Sequence, residues 1–496
     1  MKANNSKKVI IFLFIAIQLY ILSISIWKYV SNDFFHLSNS GKLILEDSNN
    51  LYYNTSFVKQ GYKTVIQQWL YDIPLYKAYE YMGMIGVSLF TTVQYAGLIY
   101  VVYKFFKLKG IDTTYALYGT LSIPFFLYSY LNCRPQMISL ILFFLQFIAI
   151  EKYRASGKKT YLYTLPLLTL LQMNVHMTFW IFHFVFLLPY LVPPIFLKRL
   201  KDEHMNIKPF IIPMILMAGS LFINPYGFKG VMTLFYCRDI TKLNITEMQP
   251  INVLSEEFIS IVVMFVLAVR RYRKGIGSIS LYFYAGTTVL LVLCYRNLIF
   301  FCIGATMLLS DVIREVKQKL PQNEQLIKFA RKFALIAGIV ICSISSVLLC
   351  SDSFLADNKI NVVLVTLPED CVSYIKQSEE HPEEIKMYTP FNYGSYFIWS
   401  GIGHIYMESK SEPYFYEING QKDIISEYAD IWKCLESEKI KDFLNEYQFD
   451  YLLTDGNDKS LTIYLDTSSD YECVSRHEGK GKWEKYQLYK RTTPYN

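Results

Sequence analysis

An acidic side chain and an imidazole stand three residues apart in Ser31-Asn32-Asp33-Phe34-Phe35-His36, shortly after the first long apolar run, residues 9–27. A carboxylate can take a proton from an attacking hydroxyl group or hold a divalent cation. Charged residues at membrane depth are energetically expensive and are usually tied to function or to a partner. Asp33 and His36 are therefore the first candidates for catalysis. A solvated loop at the membrane boundary would also contain such residues. The positions of the other polar residues are therefore needed to distinguish a catalytic site from an ordinary loop.

The composition is that of an integral membrane protein. Of the 496 residues, 52% are hydrophobic and 18% are charged. Several apolar runs reach the ~18–20 residues that cross a bilayer as a helix. We predict an α-helical polytopic membrane protein with about eleven transmembrane helices. The predicted spans are residues 9–29, 80–103, 113–131, 135–151, 161–175, 177–197, 209–223, 257–269, 278–295, 297–313 and 333–350.

Basic residues predict the orientation of these spans. Clusters of Lys and Arg occupy every second loop, whereas the short loops between them contain at most Arg134 or Arg296. Because cytoplasmic loops are enriched in Lys and Arg, the N-terminus is predicted to be cytoplasmic. An odd number of spans then places the C-terminal region outside. The basic residues form no single stripe, so the net charge of +7 does not indicate nucleic-acid binding.

The composition changes after the last predicted span. Residues 351–496 are rich in charged residues, and short strand-like runs alternate with helical patterns, which predicts an extracytoplasmic α/β domain. Residues 1–350 form the predicted transmembrane domain, with long outer loops at 30–79 and 224–256. The nine cysteines include no CxxC pair, so the sequence indicates no zinc site. The predicted strands are residues 386–388, 404–407, 451–454 and 483–489.

The unusual polar residues that border apolar runs all fall on the predicted outer side, which suggests one site at that membrane–water boundary. Arg134 and Arg296 suit a phosphate leaving group, since a guanidinium binds phosphate in a bidentate manner and stabilises developing charge. The other candidates for the site are Gln68, His176, Asn224, Glu247 and Gln249.

Each of these residues also has a purely structural interpretation. The two arginines could reach out to lipid headgroups, and His176 could hydrogen-bond a neighbouring helix. Asn224-Pro225-Tyr226-Gly227 is a turn sequence by composition. The sequence alone leaves these alternatives open.

Seven short motifs follow one another along the chain. They are Asp33-Phe34-Phe35-His36, Gln68-Trp69-Leu70, Arg134-Pro135-Gln136, Asn174-Val175-His176, Asn224-Pro225-Tyr226-Gly227, Glu247-Met248-Gln249 and Arg296-Asn297. Their order resembles that of bacterial multi-pass proteins of the GT-C glycosyltransferase superfamily, relatives of the polyprenyl-phosphate-sugar-dependent protein mannosyltransferases. A C-terminal motif, Tyr393-Gly394-Ser395-Tyr396-Phe397-Ile398-Trp399, resembles the start of the outer domain in that group.

The resemblance implies a reaction and a location. Asp33 would be the first-loop catalytic carboxylate, and a hexosyl or pentosyl group would move from a polyprenyl-phosphate sugar donor by an inverting mechanism. The acceptor would be an extracytoplasmic cell-wall polymer, glycolipid or protein. The protein would lie among the lipids of the bacterial plasma membrane.

The chain departs from the pattern of this superfamily at three places. No second acid accompanies Asp33, because Ser31 and Phe35 stand two residues away on either side. Gln68 replaces a frequent Glu, and Glu408-Ser409-Lys410 replaces an Asp-Gly-Arg segment. Dependence on a divalent metal such as Mg²⁺ or Mn²⁺ is therefore open, with Asp33 and Glu247 as the ligands if one binds.

Two other functions stay open at this stage. A transporter or flippase of lipid-linked substrates would carry paired charges or broken helices in the middle of the membrane. The polar groups here instead stay at one boundary. A catalytically inactive membrane scaffold would account for the missing second carboxylate.

Overall fold

The computed structural model describes residues 2–47, 65–192, 204–236, 248–252, 255–272, 278–317, 324–351, 360, 362, 366–410, 423–479 and 485–494. The chain divides into two compact units. The helical unit comprises Met1–Tyr29, Met82–Asn224 and Thr246–Lys359, and the α/β unit comprises Val30–Tyr81, Pro225–Ile245 and Ile360–Asn496. The predicted outer loop at 30–79 thus belongs to the same unit as the C-terminal region.

Apolar helices dominate the helical unit. Five described helices are long and apolar enough to cross a membrane: Lys7–Ile26, Trp69–Leu108, Gln136–Ser156, Tyr295–Arg314 and Lys328–Cys350. Four shorter apolar helices are Met177–Leu191, Lys208–Phe222, Phe258–Leu267 and Ile279–Leu293. Helical segments fall within each of the eleven predicted spans. The apolar helices therefore confirm the class of membrane protein, and the count of eleven spans stays a prediction.

Several of the predicted spans are broken into short helices. Proline stands in the first turn of four of these helices, as Pro124, Pro166, Pro189 and Pro213, where a helix needs no N–H donor. The α-helices from the N-terminus to the last apolar one are Lys2–Ile21, Asp33–Glu46, Trp69–Leu108, Thr113–Gly119, Ser122–Leu127, Gln136–Ser156, Leu165–Val175, Phe182–Val185, Leu188–Leu191, Ile211–Gly219, Phe228–Tyr236, Glu256–Tyr272, Ser278–Leu293, Leu298–Lys317 and Glu324–Ser351.

Aromatic rings form much of the core of the helical unit. Phe300 stacks on Phe182 with 3.8 Å between ring centroids, and Phe147 meets Phe283 edge-to-face at 5.2 Å. The Ser278–Leu293 and Leu298–Lys317 helices approach so closely that a Cβ at Gly304 would lie 2.1 Å from Thr287 Oγ1. The helices that follow His176 and Arg296 in the sequence are therefore packed against each other.

A five-stranded mixed sheet organises the C-terminal part of the α/β unit. Its strands are β1 (Lys386–Tyr388), β2 (His404–Ile405), β3 (Tyr451–Asp455), β4 (Tyr471–His477) and β5 (Tyr486–Arg491). They lie in the order β2-β1-β3-β5-β4; the first three strands pair in parallel, and β5 is antiparallel to both of its neighbours. All five residues of the central β3 are buried, as expected for a strand that is covered on both faces. The accompanying α-helices are Glu369–Ser378, Gly394–Trp399, Ile424–Lys433, Ser437–Tyr447 and Lys459–Thr467.

Candidate functional site

Asp33 is the first residue of the Asp33–Glu46 helix in the α/β unit. Its backbone N–H donates to Ser31 Oγ over 3.2 Å, and the Asn32 side-chain amide donates to the Asn392 carbonyl over 2.6 Å. A carboxylate in the first turn of a helix is stabilised by the helix dipole, which favours its charged form. The start of this helix is therefore anchored to a segment 360 residues away in sequence.

His36 leads into a chain of polar side chains. Its Nδ1 lies 3.4 Å from Ser409 Oγ, and Ser409 Oγ is in turn hydrogen-bonded to Ser395 Oγ. Ser395 Oγ donates to Glu408 Oε2 over 3.1 Å, and Glu408 is buried. The segment Glu408-Ser409-Lys410, singled out in the sequence as a departure from the Asp-Gly-Arg pattern, thus contacts the candidate imidazole.

Aromatic side chains pack around the two helices that carry these groups. The Trp399 ring lies 5.5 Å from that of Phe35 and 5.4 Å from that of Tyr79, both edge-to-face. Tyr396 meets Phe35 in the same way at 5.1 Å. The C-terminal aromatic motif recognised in the sequence therefore packs directly against the first-loop helix.

Asp72 is a polar residue in the α/β unit that the sequence motifs did not identify. It is 1% exposed, and neither of its carboxylate oxygens has a hydrogen-bond partner within the described ranges. Its backbone N–H donates to the Gln68 carbonyl over 3.0 Å, so Gln68 starts the helix that presents it. Lys410 contributes a favourable electrostatic interaction. The signal in the sequence was the position of this acid four residues after Gln68, at the start of the helix.

The Asp33–Glu46 helix reaches Asp72 through a glycine. A Cβ at Gly41 would lie 2.2 Å from the backbone carbonyl oxygen of Asp72. No side chain fits at position 41 unless the backbone moves. The helix that begins with Asp33 and the helix that contains Asp72 are therefore in direct backbone contact. This close approach is a property of the fold that no local pattern around Asp72 reveals.

We expect Asp72→Asn to stabilise the protein. A buried carboxyl without a partner is unfavourable by roughly 1–3 kcal/mol, and burial raises the pKa of Asp72. The amide keeps the shape and has no charge to bury. The free energy of unfolding in detergent should rise by an amount of this order. Glu80→Gln is the matched control, since Glu80 is an exposed residue of the same helix and forms an ion pair with Lys77 at the surface. A lower unfolding temperature for Asp72→Asn would show that the carboxylate is satisfied.

His176 lies in the helical unit, in the turn between two helices. Its Nδ1 is 3.1 Å from Ser139 Oγ, and the Gln172 side-chain amide donates both to Ser139 Oγ, over 3.0 Å, and to the His176 carbonyl, over 2.9 Å. The imidazole packs against Phe179 with 3.9 Å between ring centroids. Ser139 and Gln172 were not identified in the sequence, because single Ser and Gln residues inside apolar runs are common.

Arg296 lies near His176 in the helical unit. Burial lowers the pKa of His176 to about 3, and the positive charge of Arg296 adds to this effect. The imidazole is therefore neutral at pH 7. The turn that carries Arg296 is held by a hydrogen bond from Tyr295 N–H to the carbonyl of Gln249, 2.9 Å long. Two of the predicted candidates, Gln249 and Arg296, thus lie on adjoining turns.

Two further turns of the helical unit contain predicted residues. Asn224 Nδ2 donates to the Leu221 carbonyl over 2.9 Å, which fits its interpretation as a turn residue. The Asn174 amide donates to the Ile223 carbonyl over 3.0 Å and so joins the turn before His176 to the turn at Asn224. Arg134 is half-buried just before the Gln136–Ser156 helix, whose first turn contains Ser139.

The sequence left open whether a metal binds. Among the residues that the structure describes, no group of three or more His, Cys, Asp or Glu side chains is suited to hold a metal ion. Glu247, one of the two carboxylates suggested as ligands, lies outside the described residues.

No protein-family model matches the chain, and no curated protein matches it in sequence. Its fold is shared by other solved structures, including the following two. The archaeal oligosaccharyltransferase AglB from Archaeoglobus fulgidus, solved with an inhibitory peptide and a dolichol-phosphate, has a TM-score of 0.52 and 10% identity, over 93% of this chain and 71% of AglB. The arabinofuranosyltransferase AftD from Mycobacteria has a TM-score of 0.53 and 9% identity, over 99% of this chain and 40% of AftD.

Both of these proteins are glycosyltransferases of the GT-C superfamily. The similarity extends over nearly all of this chain, whereas the chain spans less than half of AftD. The resemblance predicted from the short motifs is therefore confirmed at the level of the fold. The chain has the fold of a GT-C membrane glycosyltransferase.

Proposed function

We propose that this protein is a membrane glycosyltransferase that moves a sugar from a polyprenyl-phosphate donor to an extracytoplasmic acceptor. The observation that carries the proposal is the fold, which matches two GT-C glycosyltransferases over 93% and 99% of the chain. Because one fold can host several functions, the proposal also rests on the residues that this chain places in its two units.

The proposed reaction is a single inverting displacement. An acceptor hydroxyl oxygen attacks the anomeric carbon, the bond from that carbon to the donor phosphate oxygen breaks, and polyprenyl phosphate leaves with the bonding electrons. The hydroxyl proton passes to the carboxylate of Asp33. The acceptor is a cell-wall polymer, a glycolipid or a protein, and the sugar is a hexose or a pentose.

The α/β unit supports this role for Asp33. The carboxylate stands in the first turn of a helix, where the helix dipole favours a negative charge. His36, one turn further along that helix, is held near Ser409 and is proposed to orient the carboxylate or the acceptor. The buried Asp72 carboxylate adds support, because unsatisfied buried polar groups that survive in a protein commonly serve a functional site.

The helical unit supports binding of a phosphate. His176 is neutral at pH 7, and Arg296 places a positive charge near it. We assign Arg296 and Arg134 to the donor phosphate, because a guanidinium can donate two parallel hydrogen bonds to it. AglB has been solved with a dolichol-phosphate, a lipid of the same chemical class as the proposed product.

The proposed orientation places the N-terminus in the cytoplasm and residues 351–496 outside, from the alternation of basic clusters. We expect a single cysteine at Lys376 to react with an impermeant thiol reagent on intact cells. A cysteine at Lys158 should react only after the membrane is permeabilised, and both positions are exposed. The native cysteines are replaced beforehand. If the cysteine at Lys158 reacts on intact cells and the one at Lys376 does not, the orientation is the opposite of the proposed one.

An assay of donor turnover tests the function itself. The purified protein is given a polyprenyl-phosphate sugar and a mixture of envelope acceptors, and the release of free polyprenyl phosphate is measured by mass spectrometry. Release of polyprenyl phosphate that depends on the presence of an acceptor would support glycosyltransferase activity. Movement of the intact donor across proteoliposomes without release would instead establish a flippase, and neither activity would favour a scaffold.

A further inference from the structure

A charged cavity lies in the helical unit. It is lined by helix ends other than those that carry the predicted site residues. The cavity has a volume of about 270 Å³, slightly below the roughly 300–1,000 Å³ of pockets for drug-sized ligands. Its lining combines three basic residues with two acids and a serine: Lys109, Arg154, Arg314, Glu151, Asp311 and Ser280. These residues come from four helices or their ends, so the cavity depends on the tertiary structure.

The acids of this cavity do not satisfy its arginines. Glu151 is nearly buried and is in direct contact with Lys109, at 2.5 Å. Arg154 is 3.9 Å from Glu151, and Arg314 is 3.7 Å from Asp311, both beyond hydrogen-bonding distance. Within the part of the chain that the structure describes, neither guanidinium makes a shorter contact with a carboxylate. Two planar groups of N–H donors are thus available to a ligand with several acceptor oxygens.

The cavity also receives a helix N-terminus. Ile279 and Ser280 lie in the first turn of the Ser278–Leu293 helix, where backbone N–H groups have no partner within the helix. Such N-termini bind phosphate and other anions. With one more basic than acidic residue in the lining, the site favours an anion.

An apolar groove begins at the next residue of the same helix. Leu281 and Ala285 line it together with Phe265 of the Glu256–Tyr272 helix, and its volume is about 460 Å³. A soluble anion would leave this groove exposed, whereas a lipid would place its phosphate in the cavity and an acyl chain along the apolar surface.

We propose that the cavity binds the headgroup of an anionic phospholipid, with the phosphate between Arg154 and Arg314. Basic pockets between transmembrane helices on the cytoplasmic side bind anionic lipids in this manner. Under the orientation proposed above, Arg154 and Arg314 belong to the cytoplasmic loops. The site is separate from the glycosyl transfer: it rests on the proposed orientation and not on the proposed reaction.

The test compares lipids and two double variants of the purified full-length protein. Phosphatidylglycerol should bind the wild type and raise its unfolding temperature, whereas phosphatidylcholine should have little effect. Arg154→Gln/Arg314→Gln should weaken the binding of phosphatidylglycerol at least tenfold, because two charge-assisted contacts are lost. Lys107→Gln/Lys158→Gln removes the same charge from neighbouring positions outside the cavity lining, and it should change binding by less than about threefold.

Three results would overturn the proposal. They are an equal effect of phosphatidylcholine, equal losses in the two double variants, and full competition by inorganic phosphate, which would identify a soluble anion site. If the first double variant does not fold, Arg314→Gln alone provides the comparison, since the Arg314 side chain is 52% exposed and its loss should leave the packing intact. Its affinity for phosphatidylglycerol should still fall, and unchanged affinity would remove Arg314 from the site.

Discussion

Asp33→Asn is expected to lower the rate of sugar transfer by about 10²–10⁴, the usual contribution of a general base. The amide keeps the size of the side chain and its place in the first turn of the helix, but it cannot accept the proton of the attacking hydroxyl group. Expression, membrane insertion and donor binding should stay close to those of the wild type. The measurement is release of polyprenyl phosphate under single-turnover conditions, so that binding and chemistry are separated.

The control for Asp33→Asn is Glu46→Gln at the other end of the same helix. Glu46 is exposed and lies 3.8 Å from Lys42 at the surface, so its loss should leave the rate unchanged. His36→Ala should lower the rate by less than Asp33→Asn, because the imidazole orients and does not accept the proton. Near-complete activity of Asp33→Asn would show that the base lies elsewhere and that the resemblance fails at its central residue.

Arg296→Ala is expected to reduce kcat/KM for the donor by roughly 10²–10³, the range seen when one group that stabilises developing negative charge is removed. Arg296→Lys should recover part of this loss, because the charge remains but the bidentate geometry does not. Arg134→Ala should act in the same direction. Donor binding is measured directly by titration with a fluorescent polyprenyl phosphate, alongside the rate.

The control for the arginine variants is Arg331→Ala, which removes an exposed charge from the Glu324–Ser351 helix. It should leave both donor binding and turnover unchanged. The pKa of His176 offers a second check. Since Arg296 contributes to lowering it, Arg296→Ala should raise it, and NMR titration of the imidazole would report the change. Unchanged donor binding in the Ala variants of both Arg134 and Arg296 would separate these residues from the phosphate.

The sequence by itself determined the class of the protein and most of the secondary structure. Long apolar runs predict helices wherever the chain crosses a membrane, since backbone groups in lipid have to bond within the segment. Strands at 386–388 and 451–454 were predicted within one residue of β1 and β3. The strand β4 was missed, because Tyr471–His477 is only partly buried and mixes charged and apolar side chains without clear alternation.

The tertiary structure alone decided which polar residues meet. His36 and Ser409 are 373 residues apart in sequence, and the close approach of Gly41 to the backbone of Asp72 appears only in the folded chain. The grouping of residues 30–81 with the C-terminal region was likewise invisible along the chain. Hydrophobic periodicity reports which face of one segment is buried, but it carries no information about the partner that buries it. Pairings across hundreds of residues depend on packing and chain topology, and only the folded chain reveals them.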